Sequence, residues 1–152
     1  MKMTSRAAIE DFFAQPVLAV AGASRDSKKF GNAAYRDLKA RGIKVLAVNP
    51  STNTVEGDPC YPSLSALPEK VGGLVIVTPP AVTEKLVQEA AKAGITRVWL
   101  QQGAESPAAI QFCEQNGITV IAHECIMMYE PNTMFLHRFH RFFKELAGGR
   151  PN

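Results

Sequence analysis

A Gly-Ala-Ser turn followed by a helix start gives this sequence its first candidate binding site. The stretch GASRDSKKFGN begins with Gly22, Ala23 and Ser24 and ends at Gly31 and Asn32. Glycine permits a tight turn, and serine supplies a hydroxyl group. A helix that opens at Gly31 or Asn32 offers unpaired N–H groups and the positive end of its dipole. This combination predicts a site for an anion.

The same stretch carries three cations, Arg25, Lys28 and Lys29, within five residues. Mobile positive side chains beside backbone donors suit a diphosphate in particular. The alternative is a solvated basic loop in front of an ordinary helix. We favour phosphate binding, because the loop follows an apolar run, at the position where open α/β sheets bind their ligands.

Five apolar runs indicate the scaffold that positions this loop. Each is continuous rather than alternating, which is typical of strands in a parallel sheet covered on both faces. The runs are VLAVAG (17–22), KVLAVN (44–49), GLVIVT (73–78), RVWLQQ (97–102) and ITVIAH (118–123).

Helix-like segments alternate with these runs at 32–42, 81–94 and 106–117. Ser106 is a predicted N-cap, and a glycine ends each of the three segments. Such alternation predicts an α/β fold. We expect a single doubly wound, Rossmann-like domain that covers residues 1–152.

The expected sheet has five parallel strands in the order 3-2-1-4-5, with helices on both faces and a switch point between strands 1 and 4. Crossovers in such a sheet are right-handed. The connection from 50 to 72 is rich in turn formers and predicts only a short helix near Ser63–Leu67.

Both ends of the chain predict amphipathic helices. Near the N-terminus, Ile9, Phe12 and Phe13 recur at helical spacing. The C-terminal amphipathic helix would present an apolar face whose members are Phe135, Phe139, Phe142, Phe143 and Leu146. Core packing is the plain explanation of that face, while a membrane-surface helix would show the same stripe. The face could also bind a protein partner or make a homo-oligomer.

Composition narrows the class of protein. The chain has 152 residues, 46% of them hydrophobic and 20% charged, with a net charge of +3. The basic residues form no long stripe, so nucleic acid is not an expected partner. No apolar run approaches the about 20 residues that cross a membrane. Cys60, Cys113 and Cys125 are odd in number and lack CxxC spacing, which predicts reduced thiols in a cytoplasmic protein. We expect no metal site.

The residues that follow the second strand argue against a nicotinamide dinucleotide. Asn49 and Pro50 stand where an acidic residue would bind the ribose hydroxyls, and the loop after the first strand lacks the third spaced glycine. After the third strand, Val77, Thr78 and Pro79 form a rigid apolar edge. A flat adenine ring could rest on that edge, although a stiff turn explains the composition equally well.

Polar residues also follow the last two strands. Gln101, Gln102 and Gly103 reach the same rim, with His123, Glu124 and Cys125 close by. Alternation along a strand would put His123 and Cys125 on one face and Glu124 on the other. A Cys–His couple can activate a thiolate, but no orienting third group is evident. A satisfied histidine and a semi-buried cysteine are therefore favoured.

In their order along the chain, these motifs resemble a known family. The segments VAGAS, VNP, VTPP, WLQQGAES and AHECIMMYEP are similar to those of small stand-alone CoA-binding proteins. They are also similar to the N-terminal CoA-binding domain of the succinyl-CoA ligase alpha subunit. The resemblance covers nearly the whole chain, from about Val17 to the HRFHRFF helix. It implies coenzyme A as the ligand.

The resemblance also implies a role for each part of the rim. Gly22, Ala23 and Ser24, with the helix start at Gly31 and Asn32, would hold the CoA diphosphate. Lys28 or Lys29 would neutralise its charge, and Asn49 and Pro50 would line the nucleotide end. The adenosine would contact Val77, Thr78 and Pro79. Gln101 and Gly103 would guide the pantetheine arm toward Cys125.

One departure from the ligase limits what can be carried over. The ligase subunit has a second domain with the histidine that accepts phosphate, and His123 does not match it. The resemblance therefore implies binding of CoA or an acyl-CoA without catalysis, and we expect no catalytic residues. The alternatives are an enzyme that uses an NAD(P)-type cofactor and a regulatory subunit that docks through its C-terminal helix.

Overall fold

The structure, a computed structural model, describes residues 5–128. Its strands are Val17–Ala21 (β1), Lys44–Val48 (β2), Thr54–Val55 (β3), Asp58–Tyr61 (β4), Gly73–Ile76 (β5), Arg97–Gln101 (β6) and Thr119–Glu124 (β7). Its α-helices are Arg6–Phe13 (α1), Phe30–Ala40 (α2), Pro80–Lys92 (α3) and Pro107–Gln115 (α4), and two 3-10 helices span Leu64–Ala66 and Ile126–Met128. The predicted C-terminal helix lies outside the described residues.

The seven strands form one sheet in the order β3-β4-β2-β1-β5-β6-β7. All neighbouring pairs are parallel except β3 and β4, which are antiparallel. The Rossmann-like α/β class is confirmed, but the prediction of five parallel strands is wrong. The predicted order 3-2-1-4-5 is wrong too, because the third predicted strand, β5, pairs with β1 rather than β2. The switch point therefore lies between β1 and β5.

The two unpredicted strands come from the connection between β2 and β5. Strand β4 reads DPCY, and Asp and Pro are both depleted in strands. Strand β3 has only two residues, which is too short for a period of two to show. The predicted short helix in this connection is confirmed as the 3-10 helix Leu64–Ala66.

Helices cover both faces of the sheet, and alternate strand residues face opposite layers. Leu18 and Val20 of β1 pack in the cluster that includes α1 and α2, whereas Ala19 and Ala21 pack in the cluster that includes α3 and α4. In the first cluster, the fully buried Trp99 ring lies 5.4 Å from the ring of Phe12, centre to centre. The N-terminal amphipathic helix predicted from Phe12 and its neighbours is confirmed.

Local sequence signals fix the helix ends. Ser106 caps α4, since its hydroxyl oxygen accepts a hydrogen bond from the N–H of Ala109 at 3.1 Å. Gly42, Gly94 and Gly117 follow the last turns of α2, α3 and α4 with φ of +86°, +77° and +70°. Glycine is the residue that adopts this left-handed conformation most readily. None of the helices within residues 5–128 has the length and apolarity needed to span a membrane.

Candidate functional site

The loop after β1 is pressed against the end of β5 at the switch point. Gly22 has a φ of +121°, and a Cβ added there would lie 2.1 Å from the carbonyl oxygen of Val77. A Cβ on Gly31, in the first turn of α2, would lie 2.6 Å from the carbonyl oxygen of Gly22. Any side chain at either position would displace backbone. The two glycines therefore bring the loop, the start of α2 and the end of β5 into direct contact.

The buried side chain of Asn32 fixes the loop from the helix side. Its Oδ1 accepts a hydrogen bond from the N–H of Ser24 at 2.8 Å, and its Nδ2 donates to the carbonyl oxygen of Ser24 at 2.7 Å. Asn32 has no exposed surface. Because both bonds are made inside the protein, the Asn32 amide orders the loop instead of projecting into solvent.

Asn49 fixes the same loop from the side of β2. Its Nδ2 donates to the carbonyl oxygen of Ala23 at 2.9 Å, and its Oδ1 accepts from the N–H of Ser51 at 2.8 Å. An acidic residue at this position would have no N–H to donate to Ala23. The absence of the ribose-binding acid thus has a structural reason. The next residue, Pro50, is exposed at the same rim.

Hydrogen bonds within the loop do not use the first N–H groups of α2. Ser24 Oγ accepts from the N–H of Asp26 at 3.1 Å, and Asp26 Oδ1 accepts from the N–H of Lys28 at 3.0 Å. The N–H groups of Phe30 and Gly31 donate to no atom within the described part of the chain. Two backbone donors at the positive end of the α2 dipole are therefore unpaired within the described residues, one on exposed Phe30 and one on buried Gly31.

The predicted cations lie in the loop that leads into this helix start. Arg25, Lys28 and Lys29 are exposed, and no carboxylate of residues 5–128 lies within 4.0 Å of their charged groups. Their charge is therefore free to pair with a ligand. Lys29 is also the N-cap residue of α2 and makes no side-chain capping bond.

Sequence reasoning missed the acid that completes the network beneath the loop. Glu56, at the turn between β3 and β4, accepts from Asn32 Nδ2 at 2.8 Å and from Arg36 Nη1 at 2.9 Å. Arg36 also donates to the carbonyl oxygen of Ser27 at 3.0 Å. The pair Glu56-Gly57, with φ of +52° and +80°, is the tight turn of a hairpin. A Glu-Gly pair was the available signal, but it is weaker than Asn-Gly.

A second set of contacts ties the hairpin strand β4 to α2. Tyr35 donates its hydroxyl to Asp58 Oδ2 at 2.7 Å, and Lys39 Nζ lies 2.5 Å from the same oxygen. The hydrogen bond from Lys39, with that from Tyr35, lowers the pKa of Asp58 below its usual value. Burial raises the pKa of Tyr35 and so keeps its hydroxyl protonated.

The end of β5 forms a stiff edge beside the loop. Thr78 Oγ1 lies 2.8 Å from Thr83 Oγ1, and Thr83 is fully buried in the first turn of α3. Val77 and Thr78 are half-buried, while Pro79 is exposed and precedes the helix start. The edge predicted to contact adenosine is therefore rigid and open on one side.

The residues at the end of β6 and just after it differ in their exposure to solvent. Gln101 is buried, and its Oε1 accepts from the N–H of Ile126 at 3.0 Å, so its side chain holds the turn after β7. Gly103 is exposed with a φ of +94°, and its N–H donates to Glu105 Oε1 at 2.7 Å. Of the two predicted pantetheine guides, only Gly103 is open to a ligand in this structure.

The end of β7 contains a β-bulge. Leu100 pairs with Ala122 and Gln101 pairs with Glu124, so His123 is an extra residue with a φ of +66°. The predicted alternation of faces is therefore wrong at His123. Cys125 follows the strand and is half-buried.

One cavity lies away from these features. It has about 740 Å³ and is lined by Val71 and Ile95, near the amino ends of β5 and β6, and by Lys70 and Lys92. Open parallel sheets bind ligands at the opposite edge, at the carboxyl ends of the strands. We therefore place the candidate site at the β1 loop and not in this cavity.

A mostly parallel sheet with helices on both faces and a glycine loop at the switch point defines a Rossmann-like α/β domain. A family model described as "CoA binding domain" matches residues 17–131, and the chain belongs to that family. The predicted cofactor, coenzyme A, is confirmed at the level of the family.

Known proteins of two kinds are similar to this chain. An ADP-forming acetate–CoA ligase I of Archaeoglobus fulgidus is 29% identical over 130 residues, which are 79% of this chain and 19% of the ligase. The chain thus spans about a fifth of that relative. A conserved hypothetical protein of Pyrococcus furiosus is 40% identical with a TM-score of 0.70, over 73% of this chain and 96% of that chain.

A solved dinucleotide-forming acetyl-coenzyme A synthetase 1 of Candidatus Korarchaeum cryptofilum adds structural support. It is 29% identical with a TM-score of 0.65, over 74% of this chain and 27% of the synthetase. The predicted resemblance to stand-alone CoA-binding proteins and to the N-terminal CoA-binding domain of the succinyl-CoA ligase alpha subunit is confirmed, since the relatives are small proteins and ligases with such a domain.

Proposed function

We propose that this protein binds coenzyme A or an acyl-CoA, without catalysing a reaction itself, and holds the diphosphate between the Gly22–Ser24 loop and the first turn of α2. The observation that carries the proposal is the lack, within residues 5–128, of an acceptor for two N–H groups at the start of α2. The N–H groups of Phe30 and Gly31 have no partner among the described residues, and they lie beside a loop that Asn32 holds in place.

Charge and rigidity around the loop support the same placement. Exposed Lys28 and Lys29 supply countercharge, and Asn49 anchors Ala23 from the neighbouring strand. A preorganised loop does not have to be ordered when the ligand binds, which favours affinity. Glu56 is kept from repelling the phosphates, because Arg36 and Asn32 both donate to it.

The rest of the ligand follows from the direction of the sheet. The adenosine would lie along the edge from Val77 to Pro79, with Pro50 at its far side, and the pantetheine arm would cross Gly103 toward Cys125. A cytoplasmic location and a single domain over residues 1–152 stay predictions. Docking of a partner or of a second copy through the C-terminal helix also stays a prediction.

Calorimetric titration with CoA tests the proposal. The wild-type protein should bind CoA, and replacing Lys28 and Lys29 together by alanine should weaken binding about tenfold or more, because charge-assisted contacts to phosphate are lost. The matched control replaces Lys70 and Lys92, which removes the same charge at the opposite edge of the sheet and should leave affinity unchanged.

The outcomes separate the alternatives. An equal loss of affinity in both double variants would show that net charge alone attracts the ligand. A greater loss in the control would place the ligand in the cavity at the opposite edge. If NADH displaces CoA at equal concentration, the site is one for nicotinamide dinucleotides. Absence of heat at millimolar CoA would overturn the proposal.

A further inference from the structure

An acid–base pair, His123 and Glu105, lies at the carboxyl ends of β6 and β7. His123 Nδ1 is 3.2 Å from Glu105 Oε2, and the His123 side chain is half-exposed whereas that of Glu105 is 16% exposed. Glu105 Oε1 accepts from the N–H of Gly103, so the carboxylate is held in place by backbone. A carboxylate beside Nδ1 favours a proton on that nitrogen and leaves the Nε2 lone pair available.

The backbone that presents this imidazole is unusual. His123 is the extra residue of the β-bulge, and its φ of +66° lies in the left-handed region that non-glycine residues seldom adopt. Strained backbone of this kind is concentrated at functional sites. In a regular strand, alternation alone would set the direction of the His123 side chain. Here the bulge sets that direction, and the imidazole lies beside Glu105.

A cavity of about 560 Å³ opens beside the pair. His123 and Glu105 line it together with Pro107 and Ile110 from the start of α4. Its lining also includes Ser106, Gln111 and Glu114, so the cavity combines apolar walls with several polar groups, as small-molecule sites commonly do.

The width of the sheet between β1 and β7 is comparable with the length of a pantetheine arm. From β1 to β7 there are three strand spacings, at about 4.8 Å each, or about 14 Å in total. The arm has about twelve bonds between the diphosphate oxygen and the sulfur, equivalent to about four extended peptide residues or about 13 Å. A CoA bound at the β1 loop can therefore place its sulfur at the end of β7.

We propose that the His123–Glu105 pair receives the free thiol of coenzyme A, with the S–H group donating a hydrogen bond to His123 Nε2. This inference rests on the proposed function and specifies its ligand as unacylated CoA. An acyl-CoA has no S–H to donate, so the pair distinguishes the free coenzyme from its thioesters. Glu105 acts as the positioning residue, because it orients the imidazole and does not touch the thiol.

Calorimetry with CoA and S-methyl-CoA tests the inference, since the two ligands differ only in that a methyl group replaces the thiol hydrogen. The wild-type protein should bind CoA about fivefold more tightly, as expected for one hydrogen bond. The preference should disappear in His123→Asn, because asparagine tolerates the left-handed backbone but is too short to replace Nε2. It should shrink in Glu105→Gln, which retains an acceptor for Gly103.

Glu89→Gln serves as the control, because it makes the same change as Glu105→Gln in the cavity at the opposite edge of the sheet. The fivefold preference should survive this change. If His123→Asn retains the preference while CoA still binds, the inference is overturned and the proposed function stands. If Cys125→Ser alone removes it, the thiol contacts Cys125 and the inference is also overturned. If neither ligand binds the wild-type protein, both proposals fail.

Discussion

The side-chain amide of Asn32 is bonded to both backbone groups of Ser24: Oδ1 accepts from the N–H at 2.8 Å, and Nδ2 donates to the carbonyl at 2.7 Å. This reciprocal pair locks a helix residue to the loop eight positions earlier. The same Nδ2 also donates to Glu56. The conformation of the loop after β1 therefore depends on this buried amide, together with the anchor from Asn49.

Replacing Asn32 by alanine should reduce both stability and affinity for CoA. The change leaves the partly buried N–H of Ser24 without its partner, which costs about 1–3 kcal/mol of unfolding free energy. Urea denaturation measures the stability loss, and calorimetry measures the affinity. Asn116→Ala is the control, because Asn116 is exposed and its side chain donates to the carbonyl oxygen of Phe112 at the far end of α4. An Asn32→Ala protein with unchanged CoA affinity would contradict the role of the amide.

Gly22→Ala should destabilise the protein more than Gly94→Ala does. Both glycines have positive φ, +121° at Gly22 and +77° at Gly94, so both substitutions incur backbone strain. Only at Gly22 would the new Cβ meet backbone, 2.1 Å from the carbonyl oxygen of Val77, whereas Gly94 has open space. Thermal unfolding of the two variants isolates the cost of the contact. Equal losses would mean that the loop and the end of β5 can separate freely.

Asp58→Asn should reduce the amount by which the free energy of unfolding falls at acid pH. The pKa of Asp58 is lowered in the folded protein by hydrogen bonds from Lys39 and Tyr35. A carboxyl with a lowered folded pKa contributes stability above its unfolded pKa, about 4, and loses that contribution as the pH falls through the folded value. Urea unfolding between pH 7 and pH 2 should therefore show a smaller acid-side decrease in the variant than in the wild type. Parallel curves would rule out this contribution of Asp58.

Cys113 should make the protein less stable at high pH. Burial raises the pKa of its thiol to about 11 in the folded state, above the unfolded value of 9.0. The contribution is complete below the unfolded pKa and is lost as the pH rises from there through about 11. Cys113→Ala removes this dependence but leaves a small cavity, so the slope of stability with pH is the informative quantity. A wild-type slope in the variant would exclude Cys113 as its source.

The predictable part of the fold rested on strong local patterns. The five apolar runs all correspond to strands, and the caps at Ser106 and Gly117 are where the sequence places them. Strands β3 and β4 could not be predicted, because two to four residues with Asp and Pro carry no periodic signal. They are held instead by tertiary contacts such as that of Tyr35 with Asp58.

The position of the candidate site was predictable, but the hydrogen bonds within it were not. The position of the β1 loop followed from the rule for carboxyl ends of parallel strands. The partners of Asn32 and Gln101 did not, because amides at the rim can face either ligand or backbone. The β-bulge at His123 also left no mark in the sequence, since it arises from the pairing of β6 with β7.

The most direct test of the central claim is an NMR titration of the labelled protein with CoA, following backbone amide shifts. Binding of the diphosphate at the start of α2 predicts that the amides of Phe30 and Gly31 move most, together with Ser24, while those of Lys70 and Lys92 stay fixed. The largest shifts at Lys70 and Lys92, with no change at Phe30 and Gly31, would contradict the account.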